Sequence, residues 1–434
     1  MAAVNSIKGV PFRFFRTRDG SGLHRHAGRL MLCRPACPSL LMILKHGLNL
    51  AYCTNIHRGE TWREVFNALK THAMAVRDVV CPGKSFAIGL RLGNLASQEL
   101  SNPKTLLAFQ RWLDRKNAYV FTINGFPFGQ FHGTRVKEQV YSPDWTSPQR
   151  LEYTNQLLDL LARLLPAGME GSVSTVPGSF KDFITSPSQE RQMFRNLWKC
   201  IGHMDKLRQK TGRSLHLGLE PEPLGCIENT RETIAFFRAM EKFKPGDERL
   251  KVYLGVNYDA CHFALQFEDP SKAITGMINA GLKISKLHLS SALRLNPSPH
   301  SLKMLRLFAD DVYLHQVICR HPSGRLSRFR DLPAVLDSAQ NKPQSATYSV
   351  RNEWRVHFHV PLHARAIAPF HNTNDHLLGV LDLLGQNPGL CSHLEMETYT
   401  WAVLPSQWRS KTVEEQLAAE YHWTLGALRQ RNLA

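Results

Sequence analysis

The stretch Leu-His-Leu-Gly-Leu-Glu, residues 215–220, alternates leucine with other residues and closes on a carboxylate. This alternation is typical of a β-strand, in which successive side chains point to opposite faces. If the leucines face an outer layer of helices, Glu220 points inward at the C-terminal end of the strand. A salt-bridging or helix-capping glutamate is the alternative interpretation, so the other strand-like runs have to be compared at the same position.

Seven further runs rich in strand-forming residues accompany this one, and most are separated by segments with helical spacing. The strands predicted are Leu48–Thr54, Phe86–Leu92, Tyr119–Asn124, Gly171–Val176, Leu215–Glu220, Val252–Asp259, Ile284–Leu289 and His393–Tyr399. The helices predicted include Trp62–Val79, Pro103–Lys116, Arg150–Leu165, Gln189–Thr211 and Asn229–Lys244, with Ser147 and Ser188 as N-caps. Strands joined by helices of this length pair in parallel through right-handed crossovers. Eight such units predict an α/β protein with a closed (β/α)8 barrel.

Residues 42–410 are assigned to this barrel and residues 411–434 to a C-terminal helix. Within the barrel, residues 290–387 are too many for a single crossover and contain two strand-like runs, Val312–Cys319 and Trp354–Leu362. We therefore expect an insertion after the seventh strand, a hairpin or small sheet over the barrel mouth, where long insertions usually carry function.

The first 41 residues differ in composition, since they hold seven Lys or Arg residues and one acidic residue, Asp19. An Arg-rich, acid-poor segment resembles an organelle transit peptide. The alternative is that translation starts at Met42, just before the first convincing strand. In both cases we expect a disordered extension.

The bulk composition indicates an ordinary globular protein of the cytoplasm. No apolar run approaches the roughly 20 residues that span a bilayer, and nine scattered cysteines without paired CxxC motifs suggest reduced thiols. The net charge of +18 is compatible with an anionic partner. It is spread along the chain without a basic, aromatic-interleaved motif, so a nucleic-acid partner is not expected.

Other predicted strands also end in metal-ligand residues. Asp259 and His262 follow the sixth strand as a DxxH pair, and His288 lies at the end of the seventh. Glu395 and Glu397 share one face of the last strand, and two like charges inside a barrel are costly unless a cation or proton compensates them. Since Glu397 is nearer the mouth, it is the preferred ligand of the two. For Asp259 the alternative is that it caps the next helix.

Carboxylates with imidazoles suit a divalent ion of the Mn, Zn or Co type, with Mg less favoured. The predicted ligands are Glu220, Asp259, His262, His288 and Glu397. Further residues are candidates for a second metal or for substrate: His57, His132, Glu222, His315, His357, His359 and Glu395.

Leu219-Glu220, Asp259-x-x-His262, His288 and the closing Glu-x-Glu resemble the xylose isomerase-like TIM barrel superfamily of sugar isomerases, sugar epimerases and endonuclease IV. Longer phrases resemble more narrowly the EboE family of the ebo metabolite traffic cluster. They are Tyr52–His57, Gly59–Trp62, Asn124–Gly129, Phe131–Gly133, Leu219–Pro223, Tyr313–Gln316, Glu353–Pro361 and Glu397–Trp401.

The resemblance implies how such a site would work. In sugar epimerases a metal holds adjacent substrate oxygens while two glutamates exchange a proton, which gives the catalytic roles to Glu220 and Glu397. Endonuclease IV-like members use more histidines and three zinc ions. Where they have Asp-x-His after the seventh strand, this chain has His357-x-His359, which leaves a second metal possible.

Three functions follow as expectations. The first is a metal-dependent isomerase or epimerase acting on a polyhydroxylated or phosphorylated metabolite, with Arg91, Arg294 and Arg355 suited to an anionic substrate. The second is a binding or trafficking component that turns nothing over, with other ebo-cluster proteins as expected partners. The third is a zinc phosphodiesterase of the endonuclease IV type.

Overall fold

The computed structural model describes residues 44–341, 346–366, 368–405, 409 and 411–434, so the predicted N-terminal extension, residues 1–41, lies outside the described residues. All of the described residues belong to one unit, Leu40–Ala434. Within them no helix combines the length and apolar character needed to cross a membrane.

Eight parallel strands close into a barrel in the spatial order β1-β13-β7-β6-β5-β4-β3-β2. Their bounds are β1 Asn49–Cys53, β2 Phe86–Arg91, β3 Ala118–Asn124, β4 Glu170–Thr175, β5 Ser214–Leu219, β6 Leu254–Asp259, β7 Lys283–Leu289 and β13 His393–Met396. The chain is therefore a closed (β/α)8 barrel, as predicted. The last strand is three residues shorter than predicted, so Glu397 lies just beyond its C-terminal end.

Helices connect the strands around the outside of the barrel. Their bounds are α1 Trp62–Ala68, α2 Met74–Val80, α3 Asn94–Leu100, α4 Pro103–Lys116, α5 Pro148–Leu164, α6 Pro187–Thr211, α7 Thr230–Phe243, α8 Arg249–Tyr253, α9 Ala260–Leu265 and α10 Pro270–Asn279. A π-helical segment, Leu69–Ala73, divides the first predicted helix. The N-cap of α6 is Ser186 rather than Ser188, because Pro187 occupies the first helical position and Gln189 completes a capping box.

A second sheet interrupts the barrel between β7 and β13. Its five antiparallel strands have the order β10-β9-β11-β8-β12, with bounds β8 Ala292–Leu295, β9 Val317–Arg320, β10 Leu326–Phe329, β11 Glu353–His359 and β12 Phe370–Asn372. Helices α11 Pro299–Leu305 and α12 Leu332–Asn341 belong to the same segment. Residues 312–316, predicted as strand, form a loop before β9. The sheet has its own apolar core, which includes Trp354, Val356 and Phe358.

Two helices complete the molecule, α13 Asn374–Gln386 and α14 Val413–Arg429. Helix α13 packs against α10 and α14, in the outer layer of the barrel. The second sheet therefore ends before residue 374, and its strand β11 packs on α9, the short helix that follows β6.

Candidate metal centre

Four buried side chains meet at the C-terminal ends of the barrel strands. Asp259 is the last residue of β6 and pairs in register with His288 of β7, which in turn pairs with Glu395 of β13. Glu220 and Glu397 each follow the last residue of a strand. Because parallel strands end at one face of a barrel, residues distant in sequence become neighbours there.

These donors surround one nitrogen. His288 Nδ1 lies 3.0 Å from Glu220 Oε1, 3.0 Å from Glu397 Oε2 and 3.5 Å from Asp259 Oδ2. We call Glu220, Asp259, His288 and Glu397 the four-donor cluster; their ligand atoms all lie within 4.8 Å of one another. None of the four side chains is more than 6% exposed.

The second nitrogen of the His288 ring, Nε2, is held by an ion pair. His288 Nε2 lies 3.1 Å from Glu395 Oε2, which also accepts a hydrogen bond of 2.5 Å from Lys286 Nζ. The carboxylate favours a proton on Nε2, so Nδ1 can present its lone pair to a cation, as metal-binding histidines do. Burial lowers the pKa of His288, but Glu397 and Glu220 raise it overall to well above its usual value. In the absence of a cation, a proton on His288 is the compensating charge.

The geometry of the four-donor cluster fits a divalent metal ion. A cation with bonds of about 2.1 Å keeps adjacent ligand atoms about 3.0 Å apart in an octahedron and about 3.4 Å apart in a tetrahedron. The distances from His288 Nδ1 match this range. In addition, Glu220 Oε2 and Asp259 Oδ2 are buried without a hydrogen-bond partner among the described residues, and a cation would satisfy both oxygens.

His262 belongs to a neighbouring group of histidines rather than to the four-donor cluster. Its Nε2 lies 3.1 Å from His357 Nε2, which lies 3.3 Å from His359 Nε2. The second sheet supplies His357 and His359, whereas His262 lies in α9. We call these three residues the three-histidine cluster. Ligand atoms of Asp259 lie within 4.8 Å of those of His262 and His359, and ligand atoms of Glu222 within 4.8 Å of those of His262 and His357.

The remaining predicted histidines are hydrogen-bonded elsewhere. His57 Nε2 bonds Tyr52 Oη at 2.6 Å, and His132 bonds Tyr313 Oη and the carbonyl of Asn55. His315 lies between Asp310 and the carbonyl of His357. Burial lowers the pKa of His57 to about 3 and that of His132 to about 4. None of the three joins either cluster.

A cleft opens above the four-donor cluster, with an empty volume of about 560 Å³ including its mouth. Glu220, Glu222 and Glu397 line it, and Lys137 is the only Lys or Arg among its described lining residues. Lys137 Nζ is 2.7 Å from Asp331, so the cleft is acidic. Aromatic side chains form much of its wall: Phe126, Phe131, Tyr141, Tyr313 and Tyr399.

The three arginines proposed for an anionic substrate are bound to other groups. Arg91 bonds Glu60 and the carbonyl of Gly59, and Arg294 bonds Asp375. Arg355 bonds Glu353 and the carbonyl of Ala264. None of the three lines the cleft, so these side chains do not provide an anion site there.

The cleft carboxylates differ in their surroundings. Glu397 Oε1 accepts hydrogen bonds from the side-chain amides of Asn55 and Asn124. Glu222 bonds Tyr141 Oη at 2.7 Å, and burial raises the pKa of Glu222 to about 7. Glu397 is therefore held by two donors, whereas Glu222 changes its protonation near neutral pH.

Sequence reasoning missed Asn55, Asn124 and Lys286. Asn124 is the last residue of β3 and Asn55 lies two residues beyond β1, so the rule applied to the other strand ends could have found them. Lys286 lies two residues before His288 on β7, so its side chain points to the same, inward side of the strand. By contrast, no sequence pattern predicts the aromatic wall, because its members come from separate segments that lie far apart in the chain.

No protein-family model and no curated protein matches the chain. Solved structures with a similar fold include an L-ribulose 3-epimerase, at 13% identity and a TM-score of 0.45 over 88% of this chain and 94% of that chain. A xylose isomerase-like TIM barrel protein from Mycobacterium smegmatis in complex with magnesium has 13% identity and a TM-score of 0.46, over 89% and 98%. The IOLI protein with a zinc atom has 10% identity and a TM-score of 0.47, over 88% and 98%. The likeness concerns the fold; the metals and substrates named are those of the other proteins.

Proposed function

We propose that the chain is a metal-dependent isomerase or epimerase that moves a proton on an uncharged, polyhydroxylated small molecule. The observation that carries the proposal is the pair Glu220 and Glu397, both 3.0 Å from His288 Nδ1 and both lining the cleft. A divalent ion at the four-donor cluster would act as a Lewis acid on substrate oxygens. Two carboxylates beside the same substrate carbon could then serve as base and acid.

The two glutamates are suited to different parts of this task. Glu397 has its Oε1 bound to Asn55 and Asn124, which fix its orientation. Glu220 Oε2 has no hydrogen-bond partner among the described residues, so a metal ion or a substrate hydroxyl can fill that place. Carboxylates held in position in this way typically contribute factors of 10² to 10⁴ in rate, roughly, as general acids or bases.

The charge of the cleft supports a neutral substrate. Apart from the metal ion, the described lining residues offer a phosphate group one basic side chain, Lys137, which is already paired with Asp331. Aromatic side chains instead offer flat apolar faces to the C–H surface of a sugar or cyclitol. A phosphorylated metabolite, one of the expectations from sequence, is therefore not the substrate that we propose.

Exchange of substrate hydrogen with solvent tests the proposal directly. We expect the Mn²⁺-loaded protein to incorporate deuterium from D₂O into one ketose or cyclitol of a panel, and Glu220→Gln and Glu397→Gln each to slow exchange roughly 100-fold or more. Glu170→Gln, at the start of β4 and far along the strand from the cleft, is the matched control and should exchange at the wild-type rate. Exchange that survives in both cleft variants contradicts the assignment.

A non-catalytic role is the second candidate, and the phrases resembling the EboE family favour it. We propose in that case that the protein binds a metabolite in the cytoplasm as part of an ebo-type traffic pathway, with other proteins of that cluster as partners. The same D₂O panel separates the two functions, because a binding component would bind its ligand without exchanging the ligand's hydrogens with solvent. Saturable binding with no exchange at any metal loading would favour this role.

A phosphodiesterase of the endonuclease IV type has one feature in its favour, the three-histidine cluster beside the four-donor cluster. The acidic, aromatic-walled cleft counts against it, since a nucleic-acid backbone requires a basic surface. Cleavage of abasic DNA by the zinc-loaded protein, lost in His262→Gln, would be the result that restores it.

A further inference from the structure

We propose that a second pocket, beside the cleft, binds a small organic anion, a carboxylate or phosphate on an apolar body, with Arg58 as its charged contact. The pocket has an empty volume of about 900 Å³ including its mouth. Its wall comes from the loop after β1, the π-helical segment, the loop after β3 and residues 401–403. The inference does not depend on the proposed function, because it involves neither the four-donor cluster nor a metal ion.

The second pocket differs from the cleft in charge. The described residues that line it include one arginine and three histidines, but no aspartate or glutamate. Three glutamates line the cleft. A pocket with a basic side chain and no carboxylate in its wall favours a negatively charged group over a cation.

Arg58 has no partner of its own. Its side chain forms no hydrogen bond or ion pair with the described residues, unlike Arg91, Arg294 and Arg355. The guanidinium lies over Gly133, where an added Cβ atom would be 3.5 Å from both Cζ and Nη1 of Arg58. A guanidinium can bind a carboxylate or a phosphate through two parallel hydrogen bonds, so Arg58 can hold either group at this wall.

His72 supplies a second donor. Its Nδ1 lies 2.5 Å from Glu414 Oε1, and since a carboxylate accepts, Nδ1 carries a proton. Burial raises the pKa of the Glu414 carboxyl, but the hydrogen bond from His72 lowers it overall. When Nε2 is also protonated, the His72 ring and Glu414 neutralise each other, and Nε2 can donate to an anion. The charge of Arg58 is then the one that remains uncompensated.

His57 holds the His72 ring in place. The two rings are stacked, with centroids 4.5 Å apart and planes at 11°. His57 Nε2 is in turn 2.6 Å from Tyr52 Oη. Because burial lowers the pKa of His57 to about 3, this ring is neutral. The stack therefore orients His72 without adding a charge of its own.

The rest of the wall indicates what the anionic group is attached to. Ile56, Val312 and Trp401 are among the lining residues, and they offer apolar surface to the body of a ligand. Tyr313 lines both the second pocket and the cleft, and its hydroxyl bonds His132. The two pockets therefore share one side chain.

Isothermal titration calorimetry on the chelator-treated, full-length protein tests the inference. Phenyl phosphate and benzoate are the probes, since each joins an anionic group to an aromatic ring. We expect saturable binding of at least one probe, and Arg58→Gln to weaken it roughly 10- to 100-fold. Arg63→Gln is the matched control: Arg63 is exposed on α1 outside the pocket, so the variant loses the same charge and should bind as the wild type does.

The outcomes separate this inference from the proposed function. Tighter binding of one probe identifies the anionic group as phosphate or carboxylate. Equal losses in Arg58→Gln and Arg63→Gln would overturn the site, because net charge alone would then attract the probe. Binding that appears only after Mn²⁺ is added would place the anion at the four-donor cluster instead. No saturable binding of either probe up to roughly 10 mM would also overturn the site, and the exchange of substrate hydrogen in the cleft would be unaffected.

Chemical modification locates the ligand in the wild type. Phenylglyoxal, which reacts with arginine side chains, is added with and without a saturating probe, and mass spectrometry of the digested protein measures labelling at Arg58 and Arg63. We expect the probe to slow the labelling of Arg58 and to leave that of Arg63 unchanged. Labelling of Arg58 at the same rate with and without the probe would contradict the site.

Discussion

Lys286 neutralises one of the two carboxylates that face the inside of the barrel on the last strand, Glu395. The sequence places Glu395 and Glu397 on one face, and a cation or proton is needed to compensate them. In the structure Lys286 supplies that charge for Glu395: burial raises the pKa of Glu395, but Lys286 and His288 lower it overall to about 2. Among the described residues no lysine or arginine pairs with Glu397; its ion-pair partner is His288, which belongs to the four-donor cluster.

Gly89 of β2 makes room for this ion pair, which gives a first prediction. A Cβ atom at Gly89 would lie 1.9 Å from Glu395 Oε1, so Gly89→Ala must displace the carboxylate from Lys286 and His288. Disturbing a buried charge pair typically costs about 3 to 5 kcal/mol. We expect a loss of this order in the free energy of unfolding, measured by urea denaturation, and weaker binding of Mn²⁺.

A second glycine provides the control for Gly89→Ala. Gly426 lies inside α14, and a Cβ there meets no atom within 4 Å. Gly426→Ala should therefore stabilise the protein by about 0.5 to 1 kcal/mol through helix propensity. Equal effects of the two substitutions would show that Gly89 has no special role.

Glu420 gives a prediction about pH. It lies in α14, where its Oε1 accepts hydrogen bonds from Leu362 N and Thr398 Oγ1, and burial raises its pKa to about 7. Between the usual carboxyl pKa of about 4.5 and pH 7, the folded protein holds a proton that the unfolded chain loses. The contribution of Glu420 to the free energy of unfolding should thus fall as pH rises across this window, by about 3 kcal/mol, and then level off.

Glu420→Gln isolates this effect, because its amide oxygen can still accept both hydrogen bonds. Urea denaturation at several pH values between 4.5 and 8 should show a shallower pH dependence in the variant, which becomes the more stable protein above pH 7. Parallel profiles for the two proteins would mean that Glu420 is ionised in the folded state.

At the residue scale, the sequence predicted which side chains lie near one another, but not that His262 lies in a separate group. Strand alternation predicts that Glu220, Asp259, His288 and Glu397 face one another, and they do so in the structure. It could not separate His262 from them, because that depends on His357 and His359, almost 100 residues further along the chain. The acidity of the cleft was also hidden, since the net charge of +18 describes the whole chain.

At the scale of elements, the loop after β3 is hydrogen-bonded to the segment of the chain that carries the second sheet. The amides of Val136 and Lys137 both bond the carbonyl of Val312, and Lys137 Nζ bonds Asp331 and the carbonyl of Asp310. Both segments line the cleft through residues such as Tyr141 and Tyr313. The contact therefore holds two parts of the cleft wall together.

Lys137→Met should loosen this contact. Lys137 has a φ of 43°, a strain that methionine shares, so the substitution removes mainly the ion pair. We expect amide hydrogen exchange at residues 136–137 to accelerate roughly 10- to 100-fold, since local opening becomes about 1 to 3 kcal/mol easier. Lys303→Met, an exposed position on α11, is the control; equal exchange in both variants would contradict the role of Lys137.

Element prediction succeeded where periodicity is local and failed where partners are distant. The eight barrel strands were found within a few residues, because each is a short run of strand-forming residues and most are separated by segments with helical spacing. The second sheet was only partly found, since β8, β10 and β12 have three or four residues each and depend on pairing with distant strands. Residues 312–316 resembled a strand, yet they form the loop that carries Tyr313 and His315.

For the whole molecule, bound metal should appear as stability. A ligand that binds only the folded state adds RT ln(1 + [L]/Kd), about 2.7 kcal/mol at 100 times Kd. We expect the melting temperature of chelator-treated protein to rise on addition of Mn²⁺ and to change much less in His288→Gln. Scanning calorimetry measures both, and an unchanged wild-type melting temperature would contradict a metal at the four-donor cluster.

The separate apolar core of the second sheet has an evolutionary consequence. The four-donor cluster is built from the barrel alone, so a lineage could reshape or exchange the second sheet and acquire a new ligand preference without disturbing it. The three-histidine cluster does not have this independence, because His357 and His359 would leave with the exchanged module. Relatives that carry a shorter insertion should accordingly keep the four-donor residues and lack this pair of histidines, whatever substrate they have adopted.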